Sequence, residues 1–306
     1  MNKVFVLAPG ESWIVDRFVA EWNADNADIS VAHPKDADVI WLFADWCSER
    51  LSSRGLLECK KVITTIHHIV PEKFFGRDAQ NEFNVRDSYT TVYHVPNKHT
   101  EDVVRKLTNK PVHVIPYWGN QFIWRPTSDR ASLRQKYNIL PDAYVIGSFQ
   151  RDTEGLSADG PNPLPKLEKG PDLFCDFVID DVASWIMNTH VLLTGWRRQY
   201  VINRLKKADV KYTYVELPKQ DIVNELYQCL DLYAMTARFE GGPQSLIECG
   251  LLNIPVVATP CGMSELVLPD EAINVNVAVA KPRVPNVEAL KLPNGYEPYR
   301  SLIKSL

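Results

Sequence analysis

No CxxC pair and no cysteine/histidine spacing suited to zinc occurs anywhere in these 306 residues. The six cysteines, Cys47, Cys59, Cys175, Cys229, Cys249 and Cys261, stand singly, several inside apolar patterns, which predicts buried free thiols rather than disulfides. No apolar stretch approaches the roughly 20 residues needed to span a bilayer. No excess of one charge is present either: 34 basic against 38 acidic side chains leave a net charge of −4, which argues against a nucleic-acid partner. The opening Met-Asn-Lys-Val-Phe-Val-Leu-Ala-Pro reads as a strand rather than a secretion signal. The expectation is a cytoplasmic protein, with peripheral membrane contact left open. No internal repeat is visible beyond an alternation of strand-like and helix-like runs.

That alternation runs from end to end, and the length suits two domains of about 150 residues each. In the first half the strand expectations are 4–8, 29–32, 39–43, 61–66, 91–95 and 112–116. Several are continuous apolar runs, as parallel strands buried on both faces should be. Between the first two, Trp13, Val15, Phe18, Val19 and Trp22 recur at helical spacing. Residues 99–107 read as a second helix, with Thr100 as its N-cap. Polar and turn-forming residues cluster at 120–129 and mark a boundary. Beyond it, strands are expected over 144–149, 190–194, 211–217, 230–237, 254–259 and 272–277, and helices over 171–177, 197–207, 221–229 and 245–252. Residues 152–165 read as a loop and 299–306 as a short helical tail. The fold class predicted is α/β, two Rossmann-like doubly wound domains facing across a cleft: 1–122, 123–285, and a tail over 286–306 that packs back on the first domain. Ligands of such sheets bind beyond the carboxyl ends of the strands, so the turns after strands are where chemistry belongs.

The turn-rich stretch from Arg238 to Gly262 stands out among them. Glu240 and Glu248 flank Gly241, Gly242 and Pro243, between an apolar run and a short helix-like run, with a second apolar run close behind. Strand, glycine turn and helix aim backbone amides and a helix N-terminus at a phosphate. Two other readings stay open here. Ser245 and Glu248 fit a capping box, and two carboxylates fit a glycosidase pair.

The ordered set Glu240, Gly241, Glu248, Gly250, Pro255, Val256, Val257, Ala258 and Gly262, with seven residues between the glutamates, resembles the signature of the retaining GT-B glycosyltransferases, particularly glycosyltransferase family four (glycosyl transferases group 1). Val114-Ile-Pro-Tyr-Trp-Gly-Asn120 resembles the turn that ends that family's first domain. Gly147-Ser-Phe-Gln-Arg151, Lys169-Gly-Pro-Asp172 and Val191-Leu-Leu-Thr-Gly195 resemble the turns of its second.

The resemblance implies a hexosyltransferase-like enzyme that moves a sugar from a nucleoside-diphosphate donor, UDP- or GDP-linked, to a hydroxyl of a sugar, glycan, glycolipid or small molecule, with retention and without metal or other cofactor, in glycan biosynthesis. Arg151 and Lys169 would hold the diphosphate, with Lys166 a rival because the loop 152–168 separates the pair. Glu248 would bind the ribose, and Glu240 and His67 would lie at the sugar. Gly241, Gly242, Gln244, Ser245, Gly195 and Gly10 would contribute donor contacts. His68 stands where the family has Asp, and Pro243 removes one amide donor. Asp36 and Asp38 have a metal–diphosphate spacing but read as solvated turn acids. Trp13, Trp46, Tyr117, Trp118 and Trp124 are core residues by default and sugar platforms otherwise. A non-catalytic nucleotide-sugar-binding subunit, a GT-B-type epimerase, and a partner subunit or oligomer that completes a short first domain remain alternatives.

Overall fold

The structure is a computed structural model of the chain, and it describes residues 2–11, 14–51, 55–74, 76–155 and 163–306. Trp13 and the middle of the expected 152–165 loop lie outside the described residues. The chain divides into two compact units, residues 1–117 with 296–306, and residues 118–295. The division falls at 117/118 rather than 122/123, and the tail is shared. Leu292 accepts from Gln121 Nε2 at 2.7 Å and Gly119 N donates to Leu290 O at 2.8 Å, which ties this part of the chain to the second unit. Tyr299, 1% exposed, stacks on Trp41 at 5.2 Å inside the first.

The first unit has a parallel sheet of β1 (Val4–Leu7), β2 (Val39–Leu42), β3 (Lys61–Thr65), β4 (Val92–Val95) and β5 (Val112–Val114), in that order. The strand expected over 29–32 is reduced to a bridge. Val4 N donates to Ile29 O at 2.8 Å and Val31 N to Val4 O at 3.0 Å, on the outer edge of β1. With that segment counted, chain order reverses at β1, as in a doubly wound sheet. Helices α1 (Ile14–Asp25), α2 (Gly55–Cys59), α3 (Pro71–Phe74), α4 (Arg77–Tyr89) and α5 (Lys98–Val104) make the crossovers. Val15, Phe18, Val19 and Trp22 form the buried stripe of α1. Helix α5 is capped by Asn97, whose side chain accepts from Thr100 N at 2.8 Å. The cap is therefore three residues earlier than the Thr100 expected, and Thr100 lies inside the helix. Helix α4 went unpredicted because it buries only Phe83, so no apolar period marks it.

The second unit has β6 (Tyr144–Ser148), β7 (Thr189–Thr194), β8 (Lys211–Val215), β9 (Leu232–Met235) and β10 (Val256–Ala258), all parallel, in the order β10-β9-β6-β7-β8. Chain order reverses between β6 and β9. Around the sheet lie α6 (Arg130–Lys136), α7 (Pro171–Asp176), α8 (Gln199–Lys207), α9 (Gln220–Gln228), α10 (Gln244–Leu251) and α11 (Ser264–Val267), while α12 (Glu297–Ser305) belongs to the first unit. The strand expected over 272–277 is absent. Ile273 makes one bridge to Ala258, and Asn276 then caps a short turn by accepting from Ala278 N. All six cysteines are free, five of them buried and Cys59 exposed. Among the described residues no helix is long and apolar enough to cross a membrane.

Candidate functional site

In the second unit the reversal between β6 and β9 puts two turns side by side: Phe149 to Arg151 after β6, and Thr236 to Gln244 after β9. A third turn, ending in Lys169, is pressed against the second. Gly170 has φ +60°, and a Cβ there would stand 1.8 Å from Thr236 O, so only glycine fits. Thr236 Oγ1 donates to Gly170 O at 2.9 Å, and Arg238 and Phe239 both donate their amides to Glu168 O. The consequence is the position of Lys169. Its Nζ bonds Glu240 Oε1 at 2.5 Å, with both side chains about one-sixth exposed (17% and 15%). Lys166 instead faces Glu168 at 3.2 Å. Of the two rival lysines, Lys169 is the one beside the glycine turn.

The turn after β10 closes the same spot. A Cβ on Gly262, at φ +63°, would meet Pro243 Cδ at 2.8 Å, Gly241 O at 3.2 Å and Glu240 Cβ at 3.3 Å. Burial first, then the Glu240 charge, pushes the neighbouring Cys261 thiol up to about 12, which keeps it protonated near pH 7. Helix α10 starts at Gln244 with Pro243 as N-cap and no side-chain cap. The capping box is therefore overturned: Ser245 is already inside the helix, and Glu248 is a turn further on, 7% exposed, where its Oε2 accepts from Tyr227 Oη at 2.8 Å. The Tyr233 hydroxyl accepts from Phe149 N at 3.2 Å, and Ser245 bonds it as well. A tyrosine thus ties the end of β6 to the start of α10.

Arg151 is at the same edge but turned aside. It donates to Thr153 O at 3.1 Å and Gly155 O at 2.7 Å, and its guanidinium lies 4.9 Å over the Trp196 ring. Gly195 turns the chain there with φ +101°. Sequence reasoning missed what fixes these turns. Arg198, wholly buried, bonds Asp152 Oδ2 at 2.5 Å, Thr194 O at 2.7 Å, Ser148 Oγ at 3.1 Å and also Ser148 O. A buried arginine carries no mark in a sequence where most arginines are solvated. Lys169, Glu240, the glycines and the start of α10 thus lie together at one switch point, the lysine paired with the carboxylate.

The first unit has its own switch point, where aromatic rings stand beside a mixture of charges: Asp16 and Glu11 lie at the end of β1, Glu11 being 3.9 Å from Arg50. His67 Nε2 faces Phe43 O at 2.9 Å, and a carbonyl only accepts, so Nε2 carries the proton and Nδ1 takes the Tyr117 hydroxyl. Burial first, then the nearby His68 and His94, push His67 down to about 3. The ring is therefore neutral near pH 7, with both nitrogens engaged. The Gly10 and Glu11 amides are held by Asp16 at 2.7 and 2.8 Å. Of the aromatic candidates, Tyr117, Trp118 and Trp124 are buried core, whereas Trp46 is 43% exposed and donates Nε1 to Glu11 Oε1 at 3.1 Å. Asp38 accepts from Lys3 N at 2.8 Å, and among the described residues no group of three or more His, Cys, Asp or Glu could hold a metal.

Residues 164–289 match the model of the family described as glycosyl transferases group 1, which bears out the resemblance over that stretch. The fold is that of GT-B glycosyltransferase structures. It is similar to HepE of Anabaena in complex with UDP-glucose, at a TM-score of 0.76 and 13% identity over 100% of both chains. It is also similar to WaaG, a glycosyltransferase involved in lipopolysaccharide biosynthesis, with a TM-score of 0.62, 12% identity, and 86% and 82% of the two chains covered. The sucrose-phosphate synthase of Thermosynechococcus elongatus gives a TM-score of 0.56 and 16% identity over 86% and 67%. No curated protein sequence matches the chain.

Proposed function

We propose that this protein is a retaining glycosyltransferase that takes a UDP-linked sugar as donor. The observation that carries the reading is the meeting of Lys169, Glu240 and the start of α10 at the second unit's switch point, inside the stretch that the family model matches. HepE, similar over its whole length, has been captured with UDP-glucose, with UDP and glucose, and with UDP, which favours uridine as the base here.

In this reading Lys169 leaves Glu240 for the donor diphosphate, and Glu240 is released to the sugar hydroxyls. Arg151 swings from its carbonyl contacts to the same diphosphate. Glu248, already oriented by Tyr227, takes the ribose. The bond between the anomeric carbon and the diphosphate oxygen breaks with its electron pair on that oxygen. The lysine, the arginine and the helix N-terminus stabilise that charge without a metal. The acceptor hydroxyl attacks from the face the diphosphate leaves and gives it its proton, which retains configuration. His67, neutral and locked, shapes the acceptor side rather than moving a proton. The reaction belongs in the cytoplasm or at the membrane surface, where the glycan or glycolipid acceptor lies.

A thermal-shift panel of UDP, GDP, ADP, dTDP and their sugar conjugates tests this, on wild type and Glu248→Ala. A ligand that binds only the folded state raises Tm. We expect a shift for the uridine ligands, lost in the variant, and release of UDP in the presence of acceptor. No shift at millimolar ligand would sink the donor site.

A further inference from the structure

The amino ends of the second unit's strands, about 20 Å along the six-residue β7 from the donor turns, carry a knob and a hollow side by side. The knob is the turn that leads into β7. Trp185 is 86% exposed, Met187 97% and Ile186 38%, and the first two are the most exposed large apolar side chains among the described residues. The turn is held in place. The amides of Trp185 and Ile186 both donate to Val182 O, at 3.0 and 2.9 Å, and Thr189 Oγ1 donates to Ile186 O at 2.8 Å. Asn188 Nδ2 donates to Asp142 Oδ2 at 2.6 Å, which joins this turn to the one before β6. Leu140 in that neighbouring turn, 45% exposed, lines a hollow of about 550 Å³. Val210 and Tyr212 line it too, and its charged groups are Lys206, Lys211 and Asp209.

We infer that this edge is an interface between two copies of the chain, the knob of each seated in the hollow of the other. The inference is independent of the donor reading. A single aromatic side chain buries about 150–250 Å², well short of the roughly 800 Å² per partner of a stable interface. Two-fold pairing uses the knob and the hollow of each copy at once and closes the assembly at two. The hollow lies within the roughly 300–1,000 Å³ that takes a drug-sized ring system, and Leu140, Val210 and Tyr212 give an indole apolar partners. Charge points the same way. The exposed Asp180 and Asp181 stand one turn before the knob, and the hollow has two lysines against one aspartate. A knob that enters the hollow of a second copy brings its acids towards those lysines. An anionic membrane surface attracts basic segments and repels such acids.

The intact protein is tested by sedimentation velocity from about 1 to 100 μM. The wild type should pass from monomer to dimer in that range. Trp185→Asp spoils the knob and Leu140→Lys the hollow. Both positions are exposed, so each variant should keep its Tm and its response to UDP while its self-affinity falls roughly tenfold or more. Trp185→Phe should still pair. An equal mixture of the Trp185→Asp and Leu140→Lys proteins should re-form dimers, because one knob and one hollow stay native and the altered pair brings opposite charges together. A wild type that stays monomeric overturns the inference, as do a dimer that survives both substitutions and a mixture that stays monomeric. Monomeric wild type carried down by phosphatidylcholine vesicles that leave Trp185→Asp protein behind assigns the knob to a membrane and overturns the dimer. A dimer lost in both variants, in a protein whose Tm UDP fails to shift, overturns the donor reading and leaves the interface standing.

Discussion

The two units are built on one plan and carry opposite chemistry at the same place in it. Each has five parallel strands and a point where chain order reverses. At that point the second unit sets a lysine–carboxylate pair against a helix start, fitted by glycines that tolerate no side chain. The first unit presents a neutral histidine clamped between a tyrosine hydroxyl and a carbonyl, beside an exposed tryptophan. Topology places a site, and the side chains at the strand ends then decide what it attracts. In the function proposed above, the lysine and helix start of the second unit serve the diphosphate, and the exposed indole of the first serves a sugar.

Substitutions can break this contrast from either side. The largest effect is expected at Gly170. Alanine there meets Thr236 O and a left-handed backbone together, so Gly170→Ala should cost about 3 kcal/mol or more and show a large fall in Tm by calorimetry, whatever ligand is present. Next comes Lys169→Ala. The side chain is partly exposed, so the fold should hold while kcat falls by roughly 10²–10³-fold, with a smaller change in donor KM; an unchanged kcat would remove Lys169 from the reaction.

Acid should affect the first unit through its histidines. His67 is pushed down to about 3 and His94 to about 4, by burial first in both cases. Below pH 6.5 the unfolded chain takes up protons that the folded state refuses. The stability these residues contribute is therefore complete above pH 6.5 and is lost as pH falls towards 3. Urea midpoints at pH 7.5 and 5 should differ, and His67→Gln should narrow the difference. The smallest effect on the reaction is expected at Lys166, whose ion-pair partner among the described residues is Glu168 in the same turn. Lys166→Ala should leave donor kinetics within a few-fold, which separates it from Lys169.

Much of this was legible in residue order. A continuous apolar run such as 39–43 suits a parallel strand buried on both faces, and β2 is one. The stripe of Val15, Phe18, Val19 and Trp22 gave α1. The Arg238 to Gly262 stretch carries the resemblance to the family whose model matches residues 164–289. Helix α4 was not legible, since its polar surface has no period, nor was the cap at Asn97, three residues before the Thr100 expected. The edge segments 29–32 and 272–277 have strand-like composition but gain only a bridge each, because pairing depends on what lies alongside rather than on the segment itself.

At the candidate site the division is the same. Residue types and spacing determined that two glutamates flank a glycine turn and that a lysine–glycine turn lies upstream. Only the tertiary structure decided that Lys169 and not Lys166 meets Glu240, that Glu248 answers to Tyr227 rather than to Ser245, and that Trp46 alone of the described aromatic candidates remains half open to solvent. Those are facts of distance between residues tens of positions apart, set by how turns pack at the ends of strands. A sequence fixes which groups a turn carries; the packing of neighbouring turns fixes which of them meet.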